Sequence, residues 1–248
     1  MKIPYALQRN ARQQNTSALL FDLWHHAPLS RAMLAQRNGL TKATVSAICD
    51  ELAALNLIRE AGQDRDRIGR PGNLLEINPK ARGAIGLEIS TNYVAVLLTD
   101  FCGQPVWRDM ATIPIGASQD VILGRSEALL GAAIERAQQD ALPLLGIGVA
   151  VPGTVHTDQG VVTRAPALGW KDLALKSLWE ARFGLSVIVE NKARAAAIAE
   201  RLHGAARNVQ NFVYVSIGTD VGSSIDVAVV ITASLTAARM DWPWMQAT

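Results

Sequence analysis

The sequence predicts an α/β protein preceded by a winged helix-turn-helix, and three observations carry that reading. Residues 15–55 hold apolar side chains at helical spacing, and two strand-like runs follow before residue 78. From Gly83 onward the texture changes to buried strands alternating with helical stretches, the mark of a sheet with helices packed on it. The charge is also uneven. Residues 1–80 carry eleven Lys/Arg against seven Asp/Glu, whereas residues 81–248 carry thirteen against fifteen.

In the front segment, Leu19, Leu20, Leu23 and Trp24 predict a first amphipathic helix over residues 15–26, interrupted by Pro28. Ser30 offers an N-cap for a short helix through Asn38, with Met33 and Leu34 facing inward. Gly39 stands where the chain needs a residue tolerant of positive φ. Leu40 plugs the core, and Thr41 caps a second helix to about Leu55 whose buried stripe is Val45, Ile48, Leu52 and Leu55. The exposed early positions Lys42, Ala43, Thr44 and Ser46 suit a helix that enters the major groove by its N-terminus. Short polar side chains and one lysine there reach phosphates and base edges without bulk. An inert three-helix packing module explains Val45 and Ile48 but leaves this polar edge unexplained.

A two-stranded wing is expected next, from Leu57 to Glu60 and from Leu74 to Ile77. Between them lies GQDRDRIGRPGN. Arg70 followed by Pro71 is its most pointed piece, because proline stiffens the loop that presents the arginine to a backbone or a minor groove. Arg65 and Arg67, flanked by Asp64 and Asp66, read instead as a solvated tip. The expected DNA-contacting set is Arg31, Thr41, Lys42, Ala43, Thr44, Ser46, Arg70 and Pro71. The basic front suits a polyanion partner, although charge alone fits a solvated surface equally well.

In the second segment, strands are expected from Gly83, over Tyr93 to Thr99, in LLGIGVAVPGTV, in LSVIVEN and in NFVYVSIGTDVGSSI. Helices are expected over residues 121–142 and 193–203. Turns at the carboxyl ends of such strands are where ligands bind, which directs attention to the Pro152-Gly153 turn and the Glu190-Asn191-Lys192 junction. Composition excludes other classes. Hydrophobic residues make up 49% of the chain, enough for a packed core, and no apolar run approaches a membrane span. The first residues lack a secretory apolar stretch, and two cysteines cannot build a disulfide framework or a four-cysteine zinc cluster. A cytoplasmic location, no membrane, no metal and no cofactor are expected.

The segments GRPGNLLEINP, GIGVAVPGTVHTDQGVVTRAPALGW, VENKARAAAIAE and NFVYVSIGTDVGSSI resemble, in order, those of the ROK family (repressor, open reading frame, kinase). The likeness is to its DNA-binding regulators, such as xylose and N-acetylglucosamine repressors, and runs through about Ile225. It implies a winged helix-turn-helix over residues 1–80 and, over residues 81–248, an actin-like, ribonuclease-H-like sugar kinase fold that is incomplete. It also implies sugar or effector binding at Gly153, Glu190, Asn191 and Lys192, operator DNA as a partner, and a homodimer.

Departures from the resemblance bear on chemistry. The family's kinases carry Asp-x-Gly-Gly-Thr where this chain has Glu88-Ile89-Ser90-Thr91-Asn92, and Asp220 interrupts their second glycine-rich loop. Their catalytic base is an aspartate directly after the position of Asn191, and Lys192 stands there. An ammonium accepts no proton near neutral pH unless burial lowers its pKa by several units. Ala167 replaces a frequent family asparagine. Lys192 therefore admits two readings, a partner for an acidic or phosphorylated sugar or an exposed residue at a helix start. The expectation is a sugar-responsive repressor without kinase activity; the alternatives are a ROK sugar kinase or a non-functional truncated product. Residues 226–248 lose the resemblance. Codons for Ile231 to Asp241 can be chosen so that a shifted frame reads His-Gly-Gln-Pro-Tyr-Arg-Gly-Ala-His-Gly, which contains a family stretch. A frameshifted, truncated product is expected on that ground, with a divergent natural ending as the other reading.

Overall fold

The first module is organised by one long helix. In the computed structural model, which describes residues 5–63, 72–207, 209–217 and 221–225, helix α1 spans Tyr5–His26. It begins ten residues before the expected start. Residues 5–14 lack an apolar stripe, but they contain neither Pro nor Gly and are rich in Ala, Gln and Arg, which sustain a helix without burial. Strand β1 (Leu29–Ser30) and helices α2 (Arg31–Asn38) and α3 (Lys42–Ala54) follow. Ser30 caps α2 by accepting the Met33 N–H, and Thr41 caps α3 by accepting the Thr44 N–H. Gly39 adopts φ 63° and donates its N–H to Ala35 O, closing α2 in the conformation that glycine tolerates.

Strands β2 (Ile58–Gln63) and β3 (Asn73–Ile77) pair antiparallel, and β1 adds to the outer edge of β3. Two residues of β1 gave no alternation to read. The core gathers Leu19, Leu23, Leu34, Val45, Ile48, Cys49, Leu52, Ile58, Leu75 and Ile77. Leu55, expected in the buried stripe, is 58% exposed. The helix ends at Ala54, so the stripe closes with Cys49 and Leu52, and Leu57 packs against the core in its place. Leu40 and Met33 pack there partly buried. On the inner side of α1, the buried Asp22 carboxylate accepts from Arg37 Nε at 2.9 and 3.0 Å and from Asn38 Nδ2 at 2.9 Å, with His26 Nδ1 at 3.1 Å.

The sheet of the second segment is built from β4 (Gly83–Ile89), β5 (Tyr93–Asp100), β6 (Pro105–Thr112), β7 (Leu144–Val151) and a fifth strand that follows a small antiparallel sheet. Helix α4 (Gln119–Gln139) precedes β7 and buries Ile122, Ser126, Leu129, Leu130, Ala133 and Ala137. The small sheet is β8 (Thr154–His156), β9 (Val161–Ala165) and β10 (Trp170–Leu173), followed by α5 (Leu175–Phe183). Then come β11 (Val187–Asn191), α6 (Lys192–His203), and the antiparallel pair β12 (Val213–Ile217) and β13 (Val221–Ile225). The five-stranded order is β11-β7-β4-β5-β6, with β11 parallel to β7 and Asn191 opposite Val151. Parallel pairing brings the carboxyl ends of β7 and β11 to one side, which places Gly153 beside Asn191. The small sheet, α5 and β6 were not anticipated: the strands of the small sheet are short, and β6, though eight residues long, is largely exposed and carries no apolar alternation.

The chain divides into two compact units. One is Met1–Ile85 with Leu97–Arg108 and Ala132–Leu145; the other is Gly86–Val96 with Asp109–Gly131 and Gly146–Thr248. The single boundary expected at residue 80 differs from this division. In the first unit, Phe101 and Cys102 pack against the N-terminal core, and the Phe101 N–H donates to Pro79 O at 3.0 Å. The Trp24 and Phe101 rings meet edge-on, 6.3 Å apart. No helix among the described residues is long and apolar enough to cross a membrane. Residues 226–248, including the atypical ending, lie outside the described residues.

Asp22 gives this module an acid limit. Its pKa is lowered from 3.8, chiefly by the Arg37 hydrogen bond, against the opposing effect of burial. Its stabilising contribution is therefore complete above the unfolded value and lost as pH falls through the lower folded value. Asp22→Asn is expected to lower the thermal midpoint at pH 7 by several degrees and to flatten stability across the range below pH 4. Hydrogen exchange over residues 19–52, followed against pH, measures both effects.

Candidate functional site

Two groups of polar residues stand apart from the cores, one in each unit. In the first, α3 presents Lys42, Ala43 and Ala47 to solvent, while Ser46 and Thr44 are half-buried. Thr41 is exposed but occupied, since its hydroxyl accepts the Thr44 N–H at 3.1 Å and meets the Thr44 hydroxyl at 2.9 Å. Arg31, at the start of α2, donates to Asp50 at 2.7 Å, and Arg12 pairs with Glu51. Both acids of α3 are thus held by arginines from other helices. Arg31 thus reaches α3 at Asp50 and Thr41 meets Thr44, while Lys42 and Ala43 are exposed on the first turn of α3 and Ser46 is half-buried; Arg70 and Pro71 lie outside the described residues. Sequence reasoning passed over Ala47 and the pairing of Asp50; an exposed alanine four residues after Ala43 was the available signal.

In the second group, β7 and β11 end side by side. Gly153 takes φ 104°, and a β-carbon there would stand 2.3 Å from Arg164 O on β9. Only glycine fits that approach. Its carbonyl accepts from Asn191 Nδ2 at 2.6 Å, and Asn191 Oδ1 accepts the Arg194 N–H at 3.1 Å, capping α6. Glu190 accepts the Asn191 N–H at 2.8 Å, takes the Thr157 hydroxyl at 3.3 Å, and faces Arg194 at 3.5 Å. The amide and the carboxylate both have internal partners, so the polar groups of the junction are satisfied within the chain.

Lys192 stands at the start of α6 with its side chain about a third exposed, and it is also paired within the chain. Its Nζ lies 2.7 Å from Glu88 Oε1, 3.4 Å from the Tyr93 hydroxyl and 3.5 Å from Ser90 Oγ, and 5.4 Å from the Tyr93 ring centroid. Tyr93 in turn donates to Glu88. Burial pulls the Lys192 pKa down, yet the hydrogen bond and charge of Glu88, with Tyr93, outweigh it and the net shift is upward from 10.5. Lys192 is therefore an ammonium throughout the neutral range and cannot serve as a general base. The Tyr93 hydroxyl is pushed up by burial and by Glu88. Residues 218–220, with Asp220, lie outside the described residues, and no group of three metal-ligating side chains occurs among the described ones.

A profile described as the ROK family matches residues 85–232. The xylose repressor of Bacillus subtilis (strain 168) is 32% identical over 221 residues, covering 88% of this chain and 56% of that protein. A crystal structure of a ROK family transcriptional regulator, a homologue of the Escherichia coli MLC protein, superposes with a TM-score of 0.71 at 27% identity. It covers 87% of this chain and 54% of that one. A ROK family glucokinase from Streptomyces griseus, in complex with glucose and AMPPNP, matches at TM-score 0.52 and 26% identity, over 58% of this chain and 44% of that one. The chain thus spans about half the length of the curated relatives it matches.

The Glu88–Lys192 contact is measurable. About a third of each side chain is exposed, so a double-mutant cycle with Glu88→Gln and Lys192→Met is expected to give a coupling of about 0.5–1 kcal/mol. The raised Lys192 pKa means the contribution is complete below 10.5 and lost as pH rises through the higher folded value. A coupling of zero at pH 8 would remove the pair from the account of this site.

Proposed function

Because the chain belongs to the ROK family, we propose that it is a DNA-binding transcriptional regulator. On this reading it represses carbohydrate uptake or catabolism genes in the cytoplasm. Residues 1–80 are its winged helix-turn-helix, with α2 and α3 as the helix pair and β2–β3 as the wing. Residues 81–248 are an actin-like sugar kinase fold that senses a sugar or sugar derivative around Gly153, Glu190, Asn191 and Lys192. A homodimer presents two recognition helices to a palindromic operator with half-sites one helical turn, or a multiple, apart. Effector binding shifts the dimer toward a geometry that no longer spans both half-sites.

The observation that carries this reading is the module of three helices and an antiparallel sheet that precedes the family-matched residues. Phosphorylation requires a proton acceptor on the sugar hydroxyl, and at the position where the family resemblance puts that base the chain holds an ammonium bound to Glu88. A sugar kinase is the second reading, favoured by the glucokinase likeness and opposed by this pair.

Selection from a random duplex library with the full chain is expected to enrich a palindromic site, bound with strong salt dependence. Arg31→Ala is expected to weaken that binding roughly tenfold, because it uncovers the Asp50 charge as well as removing a cation. Asp50→Asn in the same chain is expected to restore part of the loss, as read by fluorescence anisotropy. Release of ADP above background across a panel of sugars would favour the kinase reading instead.

A further inference from the structure

The outward face of α3 carries methyl groups at two positions from which a helix can touch base edges. Ala43 and Ala47 are both exposed and one helical turn apart, with their β-carbons separated by about 6 Å. The polar neighbours do not cover them. Thr44 turns its hydroxyl back to Thr41, Ser46 is half-buried, and Lys42 flanks them on the exposed side. An alanine methyl neither donates nor accepts a hydrogen bond. The base-edge group it can distinguish in the major groove is therefore the thymine 5-methyl, and a polar edge pressed against it is left unpaired.

Charge near this helix suits a nucleic acid: Lys42 is exposed on α3 itself, and Arg31 and Arg12 reach it from α2 and α1. The two acids of α3, Asp50 and Glu51, are each paired with an arginine. A phosphate backbone thus meets cations and paired acids rather than bare carboxylates.

We infer that α3 reads thymine 5-methyl groups through Ala43 and Ala47. The inference rests on the DNA-binding reading above and adds to it the feature of the operator that is recognised. Base pairs rise about 3.4 Å per step, so methyls about 6 Å apart on the helix match thymines one or two steps apart. Each half-site then holds two such thymines.

The test uses the full chain and the duplex it selects from a random library. Deoxyuridine replaces each thymine of the half-site in turn, which deletes the 5-methyl group and leaves pairing and the protein untouched. Affinity is expected to fall about fourfold at each of two positions, the effect of one buried carbon, and to stay level at the others. At those two positions 5-methylcytosine is expected to bind more tightly than cytosine. Ala43→Ser and Ala47→Ser, mild changes at exposed helical sites, are each expected to erase the uracil effect at one position and to leave the effect at the other. A selected duplex whose affinity is unchanged by every deoxyuridine, or whose half-site lacks paired thymines, overturns the inference and leaves the DNA-binding reading standing. Failure to retain any duplex above the non-specific level overturns both.

Discussion

The contact between Glu88 and Lys192 is the constraint on which the second unit's site depends. It ties the carboxyl end of β4 to the first turn of α6, and Tyr93 at the start of β5 joins by donating to Glu88. The physics turns on sign. Two carboxylates at that separation repel unless something else balances them, whereas a carboxylate and an ammonium balance each other. A lysine at position 192 offers no proton acceptor and at the same time supplies a tether to Glu88. Burial lowers the Lys192 pKa, and pairing with Glu88 and Tyr93 raises it by more.

The first unit solves a related problem at Asp22. A buried carboxylate on the inner side of α1 would be costly without partners, and Arg37, Asn38 and His26 supply them from α2 and from the end of α1 itself. The same contacts join α1 to the last turn of α2, just before the Gly39 turn into α3. Packing finishes what the polar contacts orient, with Leu19 and Leu23 of α1 set against Leu34, Val45 and Ile48. Arg31 and Asp50 then link the beginning of α2 to the outer side of α3. The presented face of α3 is therefore held by contacts from both neighbouring helices.

Local chemistry made much of this legible in the sequence. Ser30, Gly39 and Thr41 each stand where one residue type satisfies a helix end, and each does so in the structure. Gly153 and Asn191 were placed at strand ends by pattern, and parallel pairing of β7 with β11 makes them neighbours. What escaped depends on distance along the chain or on where an element stops. Nothing near Lys192 indicates that Glu88, 104 positions earlier, will meet it. Leu55 obeys the helical period yet falls after the last turn. The small sheet of β8 to β10 consists of strands of three to five residues, too short for alternation to declare itself. For α1, the amphipathic half was readable and the polar half was not, since burial leaves a periodic trace and propensity alone does not.

On the proposed reading, loss of the base is what makes the fold usable as a sensor. A kinase consumes its sugar, so occupancy of its site reports flux and nucleotide supply as well as sugar. A site without a base reaches binding equilibrium with the sugar alone. Its influence on DNA binding is then set by the difference in sugar affinity between two protein conformations and by nothing else. Such a site has to be ordered before the ligand arrives, because ordering on binding draws on that same difference. The Gly153–Asn191 hydrogen bond, the Asn191 cap on α6 and the Glu88–Lys192 pair provide that order. On the proposed reading, the lysine that stands in the place of a base is therefore also part of what a sensor at this junction requires.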